Sequence, residues 1–141
     1  MSLLNKNYIS GFMNTIFTPI YGIAALIILY IHKKLKIENK LLKIIIEFII
    51  FSITLSLLEF LGGIIIEKLF NKIYWNYDKF KYNIGKYISL ETSLLWGIMS
   101  LITIYIIQPI FKKYENNIPR ILTILVSIFF IINLIIIIIV K

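Results

Sequence analysis

Two glutamates interrupt an apolar run and are the first residues of this chain that could do chemistry. Glu59 and Glu67 are eight positions apart, with Gly63 midway, in the run LEFLGGIIIEKLF. At about 100° per residue, these three positions return to nearly the same face of a helix. An ionisable side chain inside an apolar helix is costly, and such residues typically mark paths for protons, ions or substrates.

The glutamates belong to a longer stripe of small and polar residues. Ser52, Ser56, Glu59, Gly63 and Glu67 follow spacings of 4, 3, 4 and 4. Such a stripe faces protein or a water-filled cavity and not lipid. One interpretation gives Glu59 a role in transport, with Ser56 and Gly63 in support. The other makes the stripe a packing seam, with Glu59 protonated or hydrogen-bonded to another helix. The candidate partners of Glu59 on other helices are Asn14, Tyr21 and Ser93.

Glu59 is expected to be the most deeply desolvated carboxylate. Glu47 lies near the start of the same apolar run, can pair with Lys43 one turn away, and is expected to be solvated there. Glu67 is expected to lie near the other end, close to water. His32 is the only histidine and is expected at the membrane surface, so no multi-histidine metal site can form within one chain.

Composition places the chain among multi-spanning membrane proteins. It has 141 residues, of which 60% are hydrophobic, and a mean hydropathy of +0.91. Lysines flanking the apolar runs give most of the net charge of +8, which indicates contact with anionic lipid headgroups and not with nucleic acid. No cysteine is present. With no recognisable nucleophile–base pair, metal cluster or nucleotide-binding loop, we expect neither an enzyme nor a cofactor.

The apolar runs predict a single all-α membrane domain with four transmembrane helices, at about 12–31, 42–67, 90–111 and 121–140. Each is close to the roughly 20 residues that cross a bilayer. Helices are favoured over barrel strands because the runs are continuous and do not alternate. The 68–89 connection interleaves aromatic residues, Trp75 and Tyr77 among them, with five lysines. It is expected to lie at the interface; the alternative is a lid over Glu59. Asn83 is expected to begin a turn at the end of this connection.

The first and third spans carry the remaining candidate residues. Pro19 is expected to kink the first span at Thr18-Pro19, or to end a half-helix there, with Gly22 following. In the third span, Glu91 is in the first turn, where the helix dipole favours a negative charge. Ser93, Gly97 and Ser100 form a small-residue face that is predicted to pack against Gly62-Gly63. Gln108-Pro109 is predicted to close this span.

Two stretches resemble a bacterial family of type IV ABC-transporter permeases, the CmpB-like membrane proteins. The first runs from Thr18 to Leu26, TPIYGIAAL, after Gly11-Phe12-Met13. The second comprises Glu59-Phe60, Gly63, Glu67, Trp75-Asn76-Tyr77, Asn83, Gly85 and Leu94-Leu95-Trp96-Gly97. Asn76 stands where the family tends to have aspartate, and Ala24 replaces a glycine. The resemblance implies a role in transport. The candidate substrate path comprises Glu59, Gly63, Glu67, Ser56, Glu91, Trp75, Tyr77, Asn83, Pro19, Tyr21 and Gly22.

The leading functional hypothesis is a permease-like subunit of a transporter in the bacterial inner membrane. No G-x-x-x-x-G-K-[ST] motif is present, so ATP hydrolysis would come from a separate ATPase. Four spans are few for a complete pathway, which implies a homo-oligomer or a partner membrane subunit. The alternatives are a self-contained ion- or proton-coupled carrier, in which Glu59 exchanges protons with a cationic substrate, and a non-transporting membrane adaptor.

Overall fold

The computed structural model describes residues 19–71, 73 and 75–139. Apart from one small hairpin, the regular structure in these residues is helical, which confirms the predicted all-α class. The elements are α1 (Pro19–Lys34), α2 (Lys40–Phe70), β1 (Asn83–Ile84), β2 (Ile88–Ser89), α3 (Leu90–Ile102), α4 (Gln108–Tyr114) and α5 (Arg120–Ile139), with a π-helical turn at Thr103–Ile107 and a 3-10 turn at Glu115–Asn117.

The longest element is α2, which extends beyond the predicted 42–67 at both ends. Asn39 caps its start by accepting a hydrogen bond from the Leu42 N–H at 3.1 Å. Asn71 ends it in a left-handed conformation with φ of 51°. Its buried positions recur along one side, as the stripe predicted: Glu47, Phe51, Ser52, Leu55, Ser56, Glu59, Gly63 and Ile66.

The third span does not close at Gln108-Pro109, so that prediction was wrong. Helical structure continues from Leu90 through α4 to Asn117. The π-helical turn just before Pro109 accounts for this, with the Gln108 N–H donating to the Thr103 carbonyl, five residues back. Proline has no N–H to donate and its ring crowds the preceding turn of an α-helix; the wider π-helical turn gives that ring room.

Two helices in the described part of the chain are long and apolar enough to cross a membrane. They are Lys40–Phe70, with 31 residues, and Leu90–Asn117, with 28 residues. The predicted fourth span corresponds to α5, whose apolar side chains are mostly exposed. Only part of the predicted first span falls within α1, and the bend predicted at Thr18-Pro19 involves residues outside the described ones.

The helices α2 and α3 are antiparallel, and this sets which small residues meet. Ser56 donates to the Ser93 Oγ at 2.5 Å, and Gly97 lies against Ser52 and Phe48. The predicted contact of Gly97 with Gly62-Gly63 was therefore wrong. Moving along α3 leads towards the start of α2, so the glycine pair lies beyond the start of α3. The core beside this contact comprises Ala24, Ile28, Phe51, Leu55 and Ile104.

Candidate functional site

Glu59 lies on the buried side of α2 and meets a side chain from the 68–89 connection. Its exposed fraction is 8%, and the Tyr77 hydroxyl donates to its Oε1 at 2.8 Å. The Trp96 indole of α3 is its second hydrogen-bonding neighbour. Both neighbours are neutral hydrogen-bond donors. They support a negative charge without neutralising it.

The hairpin of β1 and β2 places Tyr77 above Glu59. The Tyr77 N–H donates to the Lys86 carbonyl at 2.7 Å, which fixes the segment before the hairpin to the turn between its two strands. Gly85 turns the chain with φ of 67°, a conformation that glycine adopts without steric cost. The Asn83 side-chain amide donates to the Gly85 carbonyl at 3.0 Å and closes the turn.

The environment of Tyr77 keeps its hydroxyl protonated. Burial is the main cause of its raised pKa, and the charge and hydrogen bond of Glu59 raise the pKa further. A protonated phenol can donate to the carboxylate over the whole physiological pH range. Tyr77 thus acts as a donor that covers one oxygen of Glu59.

Two adjoining cavities lie beside Glu59 between α1, α2 and α3. The smaller holds about 10 Å³ and is lined by Ile20, Tyr21, Ala24, Leu55, Leu58, Glu59 and Trp96. The larger holds about 200 Å³ and is lined by Tyr21, Ala24, Ala25, Ile28, Leu55, Trp96, Met99, Ser100 and Thr103. The Tyr21 and Trp96 rings line both, with centroids 5.5 Å apart and planes tilted by 44°. Among these lining residues, only Glu59 is charged.

Glu67 and Gly63 form a second group with the hairpin. Glu67 accepts from Lys86 Nζ at 2.9 Å and from the Tyr87 hydroxyl at 2.5 Å. The Tyr87 ring packs over Gly63, where an added Cβ would lie 2.5 Å from it. Trp75 meets the same ring edge-on, with centroids 5.8 Å apart. The predicted residues Gly63, Glu67 and Trp75 are thus brought together around Tyr87.

Other predicted site residues lie apart from the Glu59 carboxylate. Ser93 bonds to Ser56 and is not a partner of Glu59. Glu91 accepts from the Tyr82 N–H at 3.4 Å, beside the hairpin. Gly22 is exposed on α1, with open space where a Cβ would be. Pro19 is the first residue of α1, and Asn14 lies outside the described residues.

Comparison with family models decides the affiliation of the chain. Residues 1–140 match the model described as "Putative ABC-transporter type IV". The chain belongs to this family. Neither the curated proteins nor the solved structures gave a match. The resemblance of the two quoted stretches is therefore confirmed. Membership of the type IV family, together with the two long apolar helices, supports a membrane-associated protein related to transport.

This type IV family member buries a further carboxylate that was misread in the sequence. Glu47 is 0% exposed, so the prediction that water solvates it was wrong. His32 Nδ1 lies 2.6 Å from its Oε1, and the Tyr105 hydroxyl donates to its Oε2 at 2.7 Å. Lys43, the predicted partner, is further away at 3.9 Å. His32, which was expected at the membrane surface, is directed at Glu47 because α1 folds back on α2.

The Glu47 cluster could not be found from spacing alone. Tyr105 is 58 positions from Glu47 and belongs to the π-helical turn. The available signal was His32, the only histidine, at the end of the first apolar run, with Tyr105 and Glu47 in two other apolar runs. Trp96, which lines both cavities, was noticed only as part of the family resemblance and not as a site residue.

Proposed function

We propose that this chain is a membrane-embedded, permease-like subunit of a bacterial transporter, a transport component and not an enzyme. Glu59 is the carboxylate of its substrate path. The observation that carries the proposal is a buried carboxylate in a long apolar helix, held by one phenolic hydroxyl and facing a cavity. In this proposal a separate ATPase provides ATP hydrolysis. An oligomer of this chain, or a partner membrane subunit, completes the transport pathway.

In this proposal α1 and α5 join the two long helices to make four spans in the cell membrane. Glu59 is eleven residues from the end of α2, which puts it roughly 16 Å along the helix from that end. That depth is within the hydrocarbon, where an unneutralised carboxylate is costly. The apolar exterior of α5 then faces lipid. An even number of crossings leaves both termini on the same side, so reporter fusions at Met1 and Lys141 that report opposite sides would contradict the topology.

The 68–89 connection serves as the cover of the substrate path. Tyr77 occupies one carboxylate oxygen of Glu59, and the hairpin fixes its backbone to Lys86. A substrate that binds Glu59 competes with this hydrogen bond, so binding and movement of the connection are linked. Such linkage between a ligand and a covering segment is how many transport sites alternate their access.

A self-contained proton-coupled carrier is the second candidate. Both groups that contact Glu59 are neutral donors and no described cationic side chain lines the cavities. A carboxylate without a fixed counter-charge can exchange a proton for a cationic substrate. In that case the purified chain transports in proteoliposomes with a pH gradient alone. The permease subunit transports only with a co-purified protein that hydrolyses ATP.

The matched pair Glu59→Gln and Glu67→Gln tests the role of Glu59. Both changes keep the side-chain shape and both residues are on α2, but only Glu59 faces the cavities. We expect Glu59→Gln to abolish activity in a transport or growth assay, with normal abundance and oligomeric state, and Glu67→Gln to retain it. Full activity of Glu59→Gln would end the proposal and leave a packing role or a membrane adaptor.

A further inference from the structure

We propose that the cavities beside Glu59 bind a small amphipathic organic cation, an ammonium group attached to one aromatic ring or a short alkyl chain. This inference rests on the proposed function of the same site and names its substrate class. It is carried by three features of the lining: its single charge, its aromatic and apolar walls, and its volume.

The charge of the lining selects a cation. Glu59 is the only charged residue among the described residues that line either cavity. An anion would be repelled by the ionised carboxylate, and a neutral molecule would leave its charge uncompensated in an apolar setting. A cationic group compensates that charge directly. Tyr77 donates to only one carboxylate oxygen, Oε1, and so leaves the negative charge for the cation to balance.

The walls select an organic cation over a metal ion. Metal ions such as Ca²⁺ and Mg²⁺ need about six oxygen ligands. Here the Ser100 hydroxyl is engaged by the Trp96 carbonyl at 2.7 Å and the Thr103 hydroxyl by the Met99 carbonyl at 2.8 Å. What the lining offers instead is the pair of Tyr21 and Trp96 rings. Aromatic faces attract ammonium groups and bind apolar bodies.

The volume limits the size of the ligand. The larger cavity holds about 200 Å³, whereas an engineered cavity of about 150 Å³ accommodates benzene. One aromatic ring therefore fits the larger cavity. The smaller cavity, of about 10 Å³, has room for about one water-sized group, so the ammonium group lies at the end of the larger cavity that adjoins Glu59. Four lining residues, Tyr21, Ala24, Leu55 and Trp96, are common to both cavities and hold the two parts of such a ligand.

Benzyltrimethylammonium and its neutral carbon isostere, neopentylbenzene, test the proposal on the purified full-length chain in detergent. The two probes have the same shape and differ in charge. Calorimetry should give binding of the cation to the wild-type chain at least roughly tenfold tighter than that of the isostere. Glu59→Gln should remove the difference and Glu67→Gln should keep it. Equal affinity for both probes, or cation binding that survives in Glu59→Gln, would mean partition into apolar space and would overturn the proposal.

A second variant keeps the test decisive if Glu59→Gln fails to fold. Trp96→Leu retains apolar bulk but removes the aromatic face, and should weaken binding of benzyltrimethylammonium several-fold while leaving neopentylbenzene unchanged. An equal loss for both probes would contradict a cation site. The failures are distinguishable: loss of activity in Glu59→Gln without selective cation binding rejects only the substrate class. Selective binding with full activity of Glu59→Gln rejects the proposed function and keeps the site.

Discussion

The helix α2 buries two carboxylates twelve residues apart, and their surroundings differ in kind. Glu47 is completely buried, with His32 2.6 Å from one oxygen and the Tyr105 hydroxyl 2.7 Å from the other. Glu59 is almost as buried, but one tyrosine from a connecting segment provides its closest hydrogen bond, and cavities lie beside it. The first cluster is closed, and the second has room for a ligand.

The difference shows that burial alone does not distinguish a functional carboxylate from a structural one. The partners of Glu47 come from α1, the start of α2 and the π-helical turn after α3, so this carboxylate ties three elements together. A ligand would have to break that network to bind there. At Glu59 a ligand has only to compete with two neutral donors, Tyr77 and Trp96. Unused bonding capacity next to open space therefore marks the functional candidate.

The largest effect on stability is expected at the closed cluster. Glu47→Ala leaves His32 and the Tyr105 hydroxyl without their shared acceptor, and breaking such a buried network costs about 3–5 kcal/mol of the free energy of unfolding. Glu59→Ala removes the acceptor of two neutral donors, the Tyr77 hydroxyl and the Trp96 indole, and should cost about 1–3 kcal/mol. Unfolding of both variants by denaturing detergent, followed by circular dichroism, measures the two values. Equal losses would erase the distinction between the clusters.

The next effect tests whether the hairpin positions the open site. A Cβ on Gly63 would lie 2.5 Å from the buried Tyr87 ring, so Gly63→Ala must displace the hairpin that also holds Tyr77. Overpacking of this kind costs about 1–3 kcal/mol. Gly22→Ala meets open space and is the matched control. We expect only Gly63→Ala to lower the thermal midpoint and to weaken binding at Glu59. If the two variants behave alike, the hairpin does not position the Glu59 site.

Sequence patterns predicted the helical class and the buried side of α2, because both follow from the spacing of apolar residues within one segment. They also placed Glu59 on that side beside Ser56 and Gly63. The register between α2 and α3 was beyond such reasoning. It depends on where α3 begins, and Gly63 lies opposite the hairpin, against Tyr87, and not against Gly97.

The same limit explains the error at Glu47. From the sequence, a carboxylate near the end of an apolar run with a lysine one turn away is a solvated pair. In the structure, α1 and the π-helical turn both fold over this end of α2, and their side chains exclude water. The neighbouring helices determine the solvation of Glu47, and no local pattern encodes which helices those are.

A smaller effect is expected when the cover of Glu59 is loosened. Tyr77→Phe removes the hydroxyl that donates to Glu59 and should lower the free energy of unfolding by about 1 kcal/mol. Burial and the neighbouring carboxylate raise the pKa of Tyr77 above its ordinary value of 10.0. The contribution of this hydroxyl is therefore present below pH 10 and is lost as the pH rises above it. Denaturation at pH 8 and pH 11 should show a smaller pH-dependent loss in Tyr77→Phe than in the wild type.

If Tyr77 covers the site, the same variant should bind a ligand at Glu59 more tightly, because no hydroxyl competes for the carboxylate. Binding of benzyltrimethylammonium to Tyr77→Phe, compared with the wild type, measures this. Weaker binding would mean that Tyr77 contacts the ligand and belongs to the site instead of covering it.

The smallest effect is expected at Glu67, the third carboxylate along this side of α2. Its side chain is 36% exposed and that of its partner Lys86 is 41% exposed, at a separation of 2.9 Å. Water screens such a pair, so its ionic part contributes little to stability. The Tyr87 hydroxyl that also bonds to Glu67 can still donate to the oxygen of a neutral amide, in a weaker hydrogen bond. Glu67→Gln should therefore change the thermal midpoint less than Tyr77→Phe does, and raising the salt concentration should not widen the difference from the wild type. A large drop in the thermal midpoint would show that the hairpin depends on this charge. Glu67 would then be a structural carboxylate like Glu47.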